Sequence, residues 1–454
     1  MSNEPLRNVL SNLATEKQIF EARVQERNIR KLNEDSSSTP NPASASNAKR
    51  SNTRSYDTRK TKKQKLACDN IMVVGLTGTL GHNLEQLSEK INVDSKKYKY
   101  FFYLSKNMVL DMTDKSQESH ITKLHITMDK LKKYKYDKMV EKEQWQEATK
   151  KLNHLVKKVN SSSRAKKCSQ AIDIIDTRSL GASAEEASSA KKIYTHIMDF
   201  HTYKQHQLSD DFISKCSEMS IATKFWSPIF ETFFGYDKNL FIQWGDTLSF
   251  DCMDESLPFR LDIRMILEAE KKTVEAATAE IASHSRSISS KLYNDKLKSV
   301  LASKCHLNAL LKKLDHLDST TLQDVHIPIV QVLGLSVTIH TLSMIDKKLY
   351  LLQKVTKFVF PRTLKDIRKG GIDKVIAGLY QLKKMIEDLG DVVKECSRDT
   401  SDKAERITSG RKNKIKKFDI DEWISKVDWD SSFSDHGEDD DNESRVSINE
   451  VSDH

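Results

Sequence analysis

The stretch FRLDIRMILEAEKKTVEAATAEIAS, residues 259–283, decides the fold. Leu261, Ile263, Met265 and Leu267 recur at every second position with Asp262, Arg264 and Ile266 between them, which is the period of a strand. The charged run 268–272 interrupts this pattern as a hairpin loop does, and residues 274–281, rich in small side chains, return as a second strand. Alternation puts Glu280 and Ala282 on one face of the second strand and lets Asp262 stand on the facing side of the first. An Asp and a Glu on neighbouring strands are ordinarily solvated surface groups. Converging, they become an edge for a hard cation such as Mg2+, the requirement of metal-dependent phosphodiester hydrolysis.

Working outward, the spacing of Leu292, Leu297, Val300, Leu301, Leu307, Leu310, Leu311 and Leu314 predicts a long helix over 291–317. Residues 327–342, IPIVQVLGLSVTIHTL, are too continuously apolar and β-branched for a surface element, so they belong in the middle of a sheet with residues 349–360 beside them. His326 and His340 there read as core or edge histidines. Gly370 and Gly371 precede a closing helix at 372–389. Upstream, Ser209 is placed to cap a helix, Pro228 stands near the first turn of WSPIFETFF, which ends at Gly235, and residues 240–244 form a strand. Glu231 is the one acid on that otherwise apolar helix.

From 205 to 395 the expected order is helix, three strands, helix, two strands, helix, an α/β unit with a mixed central sheet flanked by helices. This order resembles the PD-(D/E)XK nuclease-like core. The run of WSPIFETFF, IQWGD, an Asp strand, a Glu strand and a long helix is also similar to a group of nuclease-like-fold proteins expanded in early-branching fungi. The resemblance covers under half of the chain. It implies that Asp262 is the first metal-binding acid, that Glu280 in AEIA is the Glu of the ExK motif, and that Glu231 is the acid on the leading helix. The motif lysine is replaced by Ala282, and Lys291 on the following helix is the candidate cation in its place. Losing that cation removes a partner for the charge developing on the phosphoryl group. Two functions are then expected. The first is a degenerate, non-enzymatic nuclease-like protein that binds nucleic acid or a protein partner. The alternative is a Mg2+-dependent nuclease using Asp262 and Glu280 on DNA or RNA.

Composition bounds the remainder. In 454 residues only 37% are hydrophobic and 31% are charged, so much of the chain is expected to lie outside a packed core. The net charge of +9 favours a polyanionic partner. The six cysteines are widely separated and include no CxxC pair, which argues against a zinc centre and for reduced thiols. No apolar run approaches the roughly 20 residues that cross a bilayer, and no signal core opens the chain, so no membrane partner is expected. Residues 4–33 have helical spacing. Residues 34–70 shift to Ser, Asn and Pro and end in RKTKKQK at 59–65, a disordered linker with a nuclear-import or nucleic-acid signature. IMVVGLTGTLG from residue 71 lacks the Gly-Lys-Ser/Thr ending of a phosphate loop and reads as a strand and a glycine turn. Region 71–204 is lysine-rich and mostly helical, and its lysines at 95–167 outnumber acids about two to one among Tyr98, Tyr100, Phe101, Phe102 and Tyr103. Such a pattern serves a nucleic-acid surface or, more simply, an amphipathic helix with a solvated lysine face. In region 396–454 a second basic cluster, 411–417, precedes FDIDEWISKVDWD at 418–430. That segment is read as a short aromatic helix that docks on a protein partner or folds onto its own domain. An acidic tail expected to be disordered comes after it. Nuclear localisation is the expectation from the two basic clusters.

Overall fold

The computed structural model describes residues 71–73, 76–91, 96–283, 289–314, 317, 319–408 and 419–429. The expectations for 4–33, 59–65, 411–417 and the acidic tail lie outside the described residues. The described residues form one compact unit.

Seven strands make a mixed sheet: β1 (Val109–Asp111), β2 (Leu240–Leu248), β3 (Arg260–Ala269), β4 (Lys272–Ala282), β5 (His326–Leu333), β6 (Ser336–Asp346) and β7 (Leu349–Val359). Their order in space is β1-β7-β6-β5-β4-β3-β2. Strands β2, β3 and β4 form an antiparallel meander, β5 lies parallel to β4, β6 and β7 continue antiparallel, and β1 adds in parallel to β7. Five helices shape the core and the site: α1 (Lys96–Lys106), α2 (Ala184–Tyr203), α3 (Ser227–Phe234), α4 (Ser289–Lys313) and α5 (Gly371–Thr408).

The α/β class with a mixed, helix-flanked sheet is therefore as expected, and the differences lie in the turns. The β3–β4 connection is not a five-residue loop but two residues, Glu270 and Lys271, both with positive φ (48° and 63°). A left-handed two-residue turn matches the twist of the flanking strands, so both strands run longer than the apolar alternation alone suggested. Residues 327–342 are not one strand. Gly334, at φ +53°, turns the chain into the β5–β6 hairpin. A continuously apolar run hides such a turn because both strands are buried on both faces. Around residue 71, among the described residues, the expected strand is an isolated bridge between Met72 and Thr79.

Helix α4 carries the chain from β4 to its parallel neighbour β5. It covers the sheet face that bears Thr278 and Glu280, where the Thr278 hydroxyl lies 3.3 Å from that of Ser303. On the opposite face lies α5. Gly378 brings it onto β7 so closely that a Cβ at that position would meet the Phe358 ring at 2.1 Å. At the leading end, α2 and α3 seal the core with Phe200, Phe225, Trp226, Phe230 and Phe360, and the Trp226 indole N–H donates to Gly334 O at 2.9 Å. The lysine-rich region joins the same core: Tyr100, Phe101 and Tyr103 of α1 are buried. Those rings are packing residues and are closed to base stacking.

Residues 419–429 fold back onto their own domain. They are not a helix but one 3-10 turn, Ile420–Glu422, continued by an irregular run. Side chains grip the main chain of this strap. Asn107 donates to Asp428 O and accepts from Asp428 N, each at 2.8 Å, Asn308 donates to Ser425 O at 2.8 Å, and the buried Lys304 ammonium donates to Lys426 O at 3.2 Å. Trp429 closes the strap between Tyr103 and Phe259.

Candidate active site

The hydrogen-bonded ladder between β3 and β4 ends at Ile263 and Ala279. Continuing its register by one residue sets Asp262 against Glu280 on the face covered by α4. There the strands part, and the Ile281 N–H donates to Asp262 Oδ2 at 2.7 Å. The carboxylate thus takes a main-chain donor that the neighbouring strand no longer reaches, which fixes its direction. Glu280 is only 5% exposed; one oxygen, Oε2, accepts from the Lys298 ammonium at 2.7 Å. The other, Oε1, is buried without a hydrogen-bond partner.

Lys298 is on α4, and with it come the acids that complete the edge. Lys291, Asp295 and Lys298 are four and three residues apart, so they share one helical face. Lys291, the expected cation, does not reach the pair: its ammonium is bonded to Glu218 on the short helix Glu218–Ile221. Lys298, two turns further along the face, does. Glu231, the expected leading-helix acid, stands apart. A five-residue π turn, Ala222–Trp226, precedes α3, whose inner face buries Ile229, Phe230 and Phe234, and the exposed Glu231 accepts instead from the Trp244 indole N–H. Glu218 is the acid of the leading segment that bears on Asp262 electrostatically.

The electrostatics are those of too many acids for the cations present. Burial pushes the Glu280 carboxyl well above the usual carboxylate range, with Lys298 opposing and Asp262 reinforcing the shift. Burial also raises Asp262, against the Ile281 N–H and Lys298, and raises Asp295 to about 6. Lys298 feels burial in the opposite sense, yet its attraction to Glu280, Asp295 and Asp262 prevails, so its net shift is upward and it stays a cation. Lys298, with Lys291 acting on Asp295, does not offset the burial and mutual repulsion of these carboxyls, and a divalent cation would.

Among the described residues no group of three or more His, Cys, Asp or Glu side chains is arranged to hold a metal ion. The edge offers two carboxylates and an orphaned, inward oxygen on Glu280. Mg2+ is commonly held that way, by one or two carboxylates with water and substrate phosphate completing its shell, so the residues present fit it. Comparisons with known proteins give no matching family model, curated protein or solved structure. The site is therefore read from its geometry.

Lys298, Asp295 and Glu218 were not singled out from the sequence. For the helix residues a signal existed, since Lys291, Asp295 and Lys298 interrupt the polar side of a leucine-rich helix on a single face. Which of the two lysines meets Glu280 depends on where α4 docks along β4, and periodicity is silent on that.

Outside the edge, Arg264 and Glu275 form a buried ion pair. Its guanidinium also donates to Gln243 Oε1 at 2.8 Å and Leu248 O at 2.9 Å, so it ties β2, β3 and β4 together. The described cysteines are free, and among the described residues no helix is long and apolar enough to cross a membrane.

Proposed function

We propose that Asp262, Glu280 and Lys298 form a divalent-cation-dependent centre for phosphodiester hydrolysis on a nuclease-like core. The observation that carries this reading is the Lys298 ammonium 2.7 Å from Glu280 Oε2, because it supplies from the crossover helix the cation that position 282 lacks. The element order supports it too: a helical lead, three antiparallel strands, a crossover helix and a strand parallel to the third.

Asp262 and Glu280 would hold Mg2+, whose Lewis acidity and charge would favour attack at phosphorus. The chain's own contribution is positional. The Ile281 N–H keeps Asp262 pointed at the edge, and Lys298 holds Glu280 in place and presents a positive charge where negative charge grows on the phosphoryl oxygens. Hydrolysis forms one P–O bond to water and breaks one P–O bond to the leaving ribose or deoxyribose oxygen, which receives a proton.

A nuclease-like fold retained for binding alone is the second reading. It is favoured by the upward displacement of the Glu280 carboxyl, since a protonated Glu280 is a poor cation ligand. A cleavage assay on plasmid DNA and on RNA with Mg2+ or Mn2+ separates the two, comparing the unmodified protein with Asp262→Ala, Glu280→Ala and Lys298→Met. The first reading expects turnover by the unmodified chain and a loss of a hundredfold or more in each variant. Binding of either nucleic acid with no turnover supports the second. The basic clusters 59–65 and 411–417 support a nuclear location, which a reporter fused to each would test.

A further inference from the structure

We propose that Cys252 and Cys305 are a peroxide-reactive dithiol that closes to a disulfide, with Cys252 as the attacking sulfur, Cys305 as the resolving sulfur and His306 as the proton donor. Cys252 lies on the short helix Phe250–Asp254, which stands between β2 and β3 and packs on α4, while Cys305 and His306 are consecutive residues of α4. The His306 Nε2 is 3.9 Å from Cys252 Sγ and 2.8 Å from Ser249 Oγ. Ser249 also caps the short helix, accepting from the Cys252 N–H at 3.1 Å. The two thiols are hydrogen-bonded to each other. Two sulfurs and an imidazole carried by separate elements therefore share one buried place, with a fixed loop hydroxyl beside them.

These contacts give the three groups different protonation states. The hydrogen bond from Cys305, with His306 and Ser249, lowers the Cys252 thiol against the opposing effect of burial. The same hydrogen bond raises Cys305, so the second sulfur keeps its proton. Burial lowers His306, but Cys252, Glu275 and Asp251 prevail and its net shift is upward. A thiolate, a thiol and an imidazolium result, and the thiolate is the nucleophilic form of cysteine. Cys168 and Cys216 have no such company, and burial pushes both thiols up.

The Cys252 thiolate attacks the terminal oxygen of a hydroperoxide. An S–O bond forms, the O–O bond breaks, two electrons pass from sulfur to oxygen, and the leaving oxygen takes the His306 proton. The Cys305 sulfur then attacks Cys252, so that the S–S bond forms, the S–O bond breaks and the Cys305 proton leaves with the hydroxide as water. Cys252 and Cys305 are 0% and 1% exposed, whereas Phe250 on the same short helix is 41% exposed. The oxidant therefore enters when this five-residue helix opens locally. Such a route admits hydrogen peroxide and excludes a bulky disulfide such as oxidised glutathione. Neither cysteine belongs to the edge formed by Asp262 and Glu280, and the inference is independent of any phosphodiesterase activity there.

Non-reducing peptide mapping of the full-length chain tests it, after timed exposure to hydrogen peroxide, an acid quench and alkylation of the remaining thiols under denaturing conditions. The linked pair 252–305 is expected as the first oxidation product, with Cys168, Cys216 and Cys396 still alkylated. In Cys305→Ser, dimedone should trap a sulfenic acid at Cys252, and in Cys252→Ser the Cys305 thiol should remain unmodified. His306→Gln should slow consumption of the Cys252 thiol by about tenfold or more. Earlier oxidation of the more exposed Cys168, or Cys252 and Cys305 both staying alkylatable while other thiols are consumed, would overturn the proposal. So would a Cys252 oxidation product in the unmodified protein that Cys305 never resolves.

Discussion

The Lys298 ammonium sits 2.7 Å from Glu280 Oε2, joining the crossover helix to the strand it has just left. Glu280 is 5% exposed, so this contact is the chief compensation for taking its charge out of water. In Lys298→Met the carboxyl should protonate or the fold loosen. The expected loss is about 3 kcal/mol near pH 7.5, read by chemical denaturation. The loss should shrink as the pH is lowered and Glu280 takes up its proton. A pH-independent loss would point to packing instead of charge.

Relocating the cation offers a sharper test of its role. Ala282 lies two residues beyond Glu280 on the same strand face and is buried. If the requirement is a positive charge beside Glu280, whichever element supplies it, Lys298→Ala should abolish cleavage. Adding Ala282→Lys should restore at least a tenth of the unmodified rate. Ala282→Lys alone should not raise it, because the place is already filled.

Asp295 titrates in an accessible range. Burial raises its carboxyl from 3.8 to about 6, with Lys298 and Lys291 opposing. The folded state therefore binds this proton more tightly than the unfolded chain does, and stability drawn from it falls as pH rises from about 4 to about 6. Asp295→Asn removes that penalty. The variant's melting temperature should exceed that of the unmodified protein most clearly above pH 6, and the difference should fade as pH drops toward 4.

Gly378 and Phe358 set the distance between α5 and β7. A methyl group at 378 would overlap the Phe358 ring at 2.1 Å, so Gly378→Ala should cost about 1–3 kcal/mol despite the better helix propensity of alanine. Gly378→Ala with Phe358→Leu should recover part of it in a thermal melt. Full additivity of the two changes would show that the clash is not the cause.

The strap gives the last prediction. Trp429→Ala removes the wedge against Tyr103 and Phe259 but leaves the main-chain bonds from Asn107, Asn308 and Lys304. The end of the strap should then open more often than its middle. Amide hydrogen exchange should rise at residues 427–429 by an order of magnitude or more, and much less at 423–425.

Much of the fold was written in the order of residues. Period-two alternation in 261–267 marked β3, the leucine spacing marked α4, and β-branched apolar runs marked the interior strands, because burial on a strand or helix face imposes a period that a single chain displays. Asp262 and Glu280 were legible for the same reason, being polar residues at inward positions of neighbouring strands. The sequence alone also showed that position 282 has no cation. It could not show which lysine of α4 meets Glu280. That depends on how far α4 slides along β4 before Leu297, Val300 and Leu301 find their places in the core, and this docking puts Lys298 on Glu280 while leaving Lys291 to Glu218. Nor could it place Glu231, since a π turn rotated that residue toward Trp244. Periodicity records which face of an element is buried; the register between two packed elements is settled only by the shapes of the side chains that interlock when they meet.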